Sequence, residues 1–392
     1  EKIAATMACR FLPPTHSTPR RRAGSFLYIL LLMLAALSAP KAQAGPDAVQ
    51  DQINEVKDHT THPAYGFRRG SFLVAPIPFS NPTIGSGLAL GAGYLFKTGP
   101  EAKTSVIGLG GMGSDNGSRA YGAVANLVFG SNRWLFNSFI GEADVKYDLY
   151  TPIGALPIRQ TGQLGRVSLA YGVTPQLSFG GALRYLDTNI TLDGGGLPAI
   201  PPKYQPDLGL ELLLSSFIAE WDTRDDSDYP TSGFALSFDA SYGQTLSGTE
   251  RSYQKATLLF DIYHSLGDRS VLATRAALCG ASDDTPFFDK CALGPTDSFR
   301  GFSATQFLDR RLLSAQVELR HRLGKRIGLV GFAGVGWVGP GFNDLDTGGT
   351  HSAAGLGLRY RLSKKFPVDF SVDYARNDLD EGLLYIYVGQ RF

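Results

Sequence analysis

The stretch Leu313-Ser314-Ala315-Gln316-Val317-Glu318-Leu319-Arg320-His321-Arg322-Leu323 decides the fold of this chain. Its odd positions (Leu313, Ala315, Val317, Leu319, His321 and Leu323) are apolar but for the histidine. The even ones (Ser314, Gln316, Glu318, Arg320 and Arg322) are polar or charged. A period of two is the mark of a β-strand with unlike faces. A soluble sheet buries the apolar face and wets the charged one, whereas a membrane barrel turns the apolar face to lipid and the charged face to its lumen. The rest of the chain decides between them.

From Ser71 onward similar runs recur between turn signals. Strands are expected over 71–78, 84–97, 103–113, 118–129, 133–147, 161–173, 176–188, 208–222, 233–245, 250–266, 269–280, 308–323, 326–338, 351–363, 367–377 and 382–392. All but the first of these reach the ~9–11 residues with which a tilted strand crosses a bilayer. In 233–243, Phe234, Leu236, Phe238 and Tyr242 oppose Ala235, Ser237, Asp239 and Ser241; in 368–374, Val368, Phe370, Val372 and Tyr374 oppose Asp369, Ser371 and Asp373. In 84–96 the inward set is small: Gly85, Gly87, Ala89, Gly91 and Gly93. Early strands thus offer a small-residue inner face and late strands a charged one.

The connections alternate in length. Counted from the first strand, the odd ones include the four longest, 148–160, 189–207, 281–307 and 339–350, and the even ones are short except Thr223–Ser232. Outer-membrane barrels have short periplasmic turns and long external loops. The sequence therefore predicts an all-β, sixteen-stranded antiparallel transmembrane β-barrel with both termini in the periplasm.

The first residues agree with export. Arg20-Arg21-Arg22, an apolar run from Ser25 to Ala39 and Ala42-Gln43-Ala44 describe a signal peptide over 1–44, too short in its apolar part for the ~20 residues of a membrane helix. Residues 45–69 read as a short periplasmic segment, with room for one helix from Asp47 to Lys57, and 70–392 as the barrel. With 37 Lys+Arg against 36 Asp+Glu, the composition gives no basis for nucleic-acid binding. Of the three cysteines, Cys9 leaves with the signal peptide. Cys279 and Cys291 read first as a disulfide in an exported chain, then as free thiols; neighbouring ligands for a metal are lacking.

The sixth odd connection, 281–307, is the longest irregular stretch after the N-terminal segments. Loops of this length are functional or disordered, and its aromatics, its Arg300-Gly301 pair and its flanking cysteines argue against disorder. We expect it to fold into the lumen and fill the space left by the small residues of the early strands. Arg300, set between Phe299 and Gly301-Phe302, suits docking in a partly dry space against a carboxylate. Glu318 faces the lumen on the next strand.

Other motifs carry less. Gly108-Leu109-Gly110-Gly111-Met112-Gly113 matches G-x-G-x-x-G, yet no helix follows it, so small inward residues explain it better than dinucleotide binding. The run Asp222-Thr223-Arg224-Asp225-Asp226-Ser227-Asp228 lacks a bidentate Glu for calcium and reads as a solvated turn. His59, His62, His264, His321 and His351 are not set beside a nucleophile and a carboxylate in the manner of a hydrolase. No cofactor, metal or catalytic residue is expected.

These residues together resemble a known family. Ser298-Phe299-Arg300-Gly301-Phe302 resembles the Arg-Gly-aromatic motif in the sixth external loop of the bacterial surface antigen superfamily, the BamA/TamA-type outer-membrane barrels. In that family the loop joins strands eleven and twelve of sixteen. Asp222-Thr223-Arg224-Asp225 with Tyr229-Pro230-Thr231-Ser232-Gly233 is similar to the family's turn between strands eight and nine. Gln316-Val317-Glu318-Leu319 is similar to the strand whose Glu receives the loop arginine, and 355–392 to the last three strands. Leu384, Ile386, Val388 and the terminal Phe392 resemble the C-terminal barrel signal, from which Gln390 departs. Phe332 before Ala333-Gly334 stands where the family often has an Asp, and 45–69 is too short for a periplasmic POTRA domain.

The resemblance implies a non-enzymatic barrel-only member in the outer membrane of a Gram-negative-type bacterium. By the same resemblance it takes part in outer-membrane protein insertion or translocation, with a periplasmic partner for client capture. Its surroundings would be outer-membrane lipid and lipopolysaccharide, its clients other outer-membrane proteins. The alternative is a passive pore or structural barrel that keeps the fold alone.

Overall fold

The computed structural model describes residues 66–99, 102–227, 229–362 and 369–392. The expected signal peptide and nearly all of the segment 45–69 lie outside the described residues, as does the whole connection 364–366.

Alternating sequence becomes alternating burial. In the strand Arg311–Arg322, Leu312, Ser314, Gln316, Glu318 and Arg320 are buried, while Val317 is 42% and Leu319 45% exposed. A charged face turned inward and an apolar face turned outward is the inverse of a soluble sheet. Sixteen strands repeat the arrangement and close into one antiparallel barrel. They are β1 Ser71–Asn81, β2 Gly85–Lys97, β3 Thr104–Ser114, β4 Arg119–Phe129, β5 Trp134–Thr151, β6 Gly154–Gly172, β7 Leu177–Leu192, β8 Gly209–Asp222, β9 Gly233–Ser247, β10 Ser252–Leu266, β11 Ser270–Ala281, β12 Arg311–Arg322, β13 Ile327–Gly339, β14 His351–Arg361, β15 Asp369–Asn377 and β16 Gly382–Val388. Each strand pairs with its neighbours in sequence, and β1 closes against β16.

Closure is uneven. β1 pairs with β2 from Ser71↔Leu95 to Asn81↔Gly85, but with β16 only through Ser80↔Ile386. The composition of β1 gives the reason, because Pro76 and Pro78 have no N–H to offer and proline is tolerated at the edge of a sheet rather than inside it.

The structure corrects two sequence boundaries. Residues 148–160 do not form a long connection: β5 and β6 stay paired up to Thr151↔Gly154, with only Pro152 and Ile153 at the turn. Leu149, Leu156 and Ile158 in this hairpin tip are buried, and residues of the connections 193–208 and 282–310 pack against it. At the other end, the last strand stops at Val388 rather than Phe392. Gly389 takes φ +98°, a conformation open chiefly to glycine, and turns the chain aside. Phe392 then packs against Tyr263, Val271 and Ala273 on the inner faces of β10 and β11.

Candidate functional site

Connection 282–310, between β11 and β12, leaves the barrel wall and returns through its interior. Cys279 near the end of β11 is bonded to Cys291 across 12 residues, with Cα atoms 5.8 Å apart. A short ribbon pairs Cys291 with Asp309 and Ala292 with Leu308, which draws the two ends of the inner segment together. Beyond the ribbon the chain must satisfy its polar groups away from water. Asp297 does this locally, accepting hydrogen bonds from the main-chain N–H of Gly294 at 2.8 Å and Phe299 at 3.1 Å and from the Ser314 hydroxyl. Burial pushes its carboxyl above the ordinary value, against the opposing pull of those donors.

Arg300 is buried, 2% exposed. Its guanidinium donates to Glu318 Oε2 at 2.5 Å and to Asp373 Oδ2 at 2.6 Å, joining β12 to β15 through the loop. The Phe332 ring on β13 lies beneath it, with 3.6 Å between the guanidinium carbon and the ring centroid. Around this centre Arg320 donates to Glu318 at 2.7 Å, Arg359 pairs with Asp373, and the Tyr387 hydroxyl donates to Asp373 at 2.6 Å. Buried ions of both signs in a connected network offset one another's charge at the cost of desolvation, with Arg300 Nε and Arg320 Nη1 left without a hydrogen-bond partner among the described residues.

The flanking motif residues hold the backbone. Gly301 has φ +128°, its N–H donates to the Tyr385 hydroxyl at 2.7 Å, and its carbonyl accepts from Asn377 Nδ2 at 2.8 Å. A Cβ there would meet the Ala353 Cβ at 2.4 Å, so only glycine fits. Phe299 and Phe302 are buried with Leu293, Leu312 and Val338, and Phe307 stacks on His351 at 3.5 Å. Ser298, with φ +61°, hands its carbonyl to Arg391 Nε at 3.1 Å.

A second anchor was not read from the sequence. Asp289, on a 3-10 turn over Phe287–Asp289, pairs with Arg184 on β7, accepts from the Tyr253 hydroxyl at 2.7 Å and lies 3.4 Å from Lys255 Nζ on β10. Burial drives its carboxyl up, but the cations of Arg184 and Lys255 outweigh this and leave it below the ordinary range. Nearby, Asp207 accepts from Arg251 at 2.6 Å and from the Phe287 N–H at 2.9 Å. Further along, Ala304 N–H donates to Thr83 at 3.1 Å, Thr305 to the carbonyl of Asp148, and Gln306 to Glu381 at 2.9 Å. Partners drawn from β5, β7, β10, β12, β15 and the β1–β2 and β15–β16 turns surround the loop, so it lies among the inward side chains.

Where the loop lies differs from the sequence expectation. It packs on the charged late strands and leaves the small-residue wall of the early ones uncovered. A cavity of about 640 Å³ remains there, lined by residues of β1 to β7 such as Ala89, Gly91, Gly110 and Val124, with no loop residue in its wall. The physical reason is charge: ionic partners for Arg300 and Asp289 exist on the late and middle strands, and Gly or Ala offers nothing to a polar loop.

Other singled-out residues have ordinary partners. Arg224 forms a two-pronged pair with Asp222 at 2.9 and 2.8 Å, and Asp225 accepts from the N–H of Thr231 at 2.9 Å, so both carboxylates serve the turn. His321 shares a hydrogen bond of 2.9 Å with Ser270 on the outward face. The polar tail of Phe392 is held by Arg320, which donates to its main-chain oxygen. Asp373 stood on the legible inward face of 368–374, but nothing in the sequence named Arg300 as its partner.

The Omp85 superfamily domain profile matches residues 157–392, well over half of the chain. Among solved structures the fold is similar to that of BamA from Haemophilus ducreyi lacking POTRA domains 1-3, at 16% identity and TM-score 0.57, with 81% of this chain and 70% of that one covered. It is also similar to CdiB from Acinetobacter baumannii, at 14% identity and TM-score 0.53, covering 81% of this chain and 59% of CdiB. At such identities the shared property is the fold. No curated protein sequence matches the chain.

Proposed function

The chain belongs to the Omp85 superfamily of outer-membrane β-barrels, and from that premise we propose that it takes part in inserting or translocating other outer-membrane proteins. The observation that carries this reading is the seam, where among the described residues the register of β1 with β16 is the single pair Ser80↔Ile386, beside a hydrogen bond of 3.3 Å from the Ser80 hydroxyl to the Leu384 carbonyl, while β1 pairs with β2 along its whole length. An unpaired strand edge is a template for an incoming strand. In this reading the short-turn end and both termini face the periplasm, the long connections face outward, and lipid and lipopolysaccharide surround the wall. Client capture falls, in this reading, to a periplasmic partner. The barrel works without an enzymatic step or a cofactor.

Depletion of the chain followed by outer-membrane proteomics tests it. Specific barrel proteins should fall and return with the wild type, but not with a Ser80→Cys/Ile386→Cys protein oxidised across the seam until it is reduced. An unchanged outer-membrane composition overturns the proposal. A passive pore is the second reading, favoured by the unfilled space beside the loop; it requires steady conductance in planar bilayers without any client.

A further inference from the structure

The inward wall of β1 to β7 encloses space whose lining suits an alkyl chain better than a polypeptide. Interiors of outer-membrane barrels are polar, yet this cavity of about 640 Å³ presents Leu73, Ile77, Met112, Val124 and Leu164 between glycines and alanines. Its polar side chains include Gln160 and Thr188, and these bond each other at 2.8 Å. A polypeptide brings an N–H and a carbonyl with every residue, and leaving them unpaired in an apolar space is costly. An alkyl chain has no such need. The volume falls within the ~300–1,000 Å³ of small-molecule sites.

A second space adjoins the first. About 450 Å³ toward the short-turn end shares Val124 and Phe139 with it, and its wall carries Asn126, Asn137 and Ser168 together with the Arg166–Asp239 ion pair at 3.1 Å. An apolar chamber opening onto a polar one matches a molecule with an alkyl tail and a hydrophilic head. β1 both lines the apolar chamber and borders the incomplete seam, so the surrounding bilayer lies one strand away.

We propose that the lumen of β1 to β7 is a binding site for the acyl chain of an amphiphile, its tail in the apolar chamber and its head among Arg166, Asp239, Asn126 and Asn137. The site stands on the two chambers and does not rest on an insertion activity. Its chemistry is shared by free fatty acids and single-chain phospholipids.

The test uses the whole protein, stripped of lipid in amphipol, titrated with a fluorescent long-chain fatty acid and separately with a fluorescent lysophospholipid. Saturable binding of either supports the site, and the probe that binds names the source. A Cβ at Gly91 meets nothing within 4 Å, so Gly91→Phe projects its ring into the chamber from an unobstructed position. It should weaken binding about tenfold, the effect of excluding about two methylenes from apolar burial. Met112→Gln, similar in volume but polar, should weaken it too, and Leu88→Phe, at an exposed outward position that does not line the chamber, should not. Heat-dependent mobility in detergent gels verifies that each variant is folded. Absence of saturable binding by the folded wild type overturns the proposal, as does full affinity in both folded lumen variants. A photo-crosslinker at position 91 that captures polypeptide instead of lipid in native membranes overturns it as well.

Discussion

The Arg300 guanidinium lies 3.6 Å from the centroid of the Phe332 ring while it bonds Glu318 and Asp373. One cation thus draws on two carboxylates and an aromatic face from three strands, of which only β12 adjoins the loop in sequence. Phe332 on β13 supplies the ring, and Asp373 on β15 supplies the second carboxylate.

Breaking this centre should cost more than any surface change. Removing one member of a desolvated ion pair costs ~3–5 kcal/mol, so Arg300→Ala and Glu318→Ala should each destabilise strongly, and the double variant much less than the sum. Phe332→Leu should cost ~0.5–2 kcal/mol through the lost cation–π contact. A double-mutant cycle by thermal unfolding checks both; a coupling energy near zero would refute the pairing.

Gly301→Ala should be destabilising without touching any charge. Its φ of +128° and the 2.4 Å approach to Ala353 leave no room for a methyl group, and such backbone strain costs of order 1–3 kcal/mol. Increased protease cleavage within 294–307 is the expected readout, and wild-type resistance would count against the fit.

The disulfide should matter to the loop and not to the wall. Closing a loop of this size is worth roughly 3 kcal/mol in the chain-entropy model. Cys279→Ser/Cys291→Ser should therefore retain the barrel but expose the 282–310 segment to protease, and mass spectrometry of the unreduced mature protein should find neither thiol open to alkylation.

Acid should loosen the Asp289 anchor. Its carboxyl lies below the ordinary 3.8 in the folded state, so the stabilisation it supplies is complete above that value and is lost as pH falls through the lower folded value. Protease accessibility near Phe287 should rise only in strong acid. Asp289→Asn should show the raised accessibility at neutral pH; equal protection in both proteins would remove Asp289 as an anchor.

Deleting 285–305 should convert a small, intermittent conductance into a large stable one, because an open barrel of sixteen strands leaves an aqueous channel. Steady conductance of the intact protein at the level of the deletion variant would mean that the loop does not restrict the lumen.

The period of two in 313–323, repeated along the chain, determined the strand type, the number of barrel strands and which face meets lipid, since side-chain direction in a strand follows from position alone. It also brought Arg300 and Glu318 under one reading, because the two lie near each other in sequence. Asp373, Phe332, Asp289 and Arg184 became partners only through closure of the barrel, which brings late and early residues across a lumen whose geometry no local pattern contains. The same holds for the course of the loop. Composition showed that the early wall was small and the late wall charged, but which of them the loop covered depended on where ionic partners met in space, and the apolar chamber is what that choice left open.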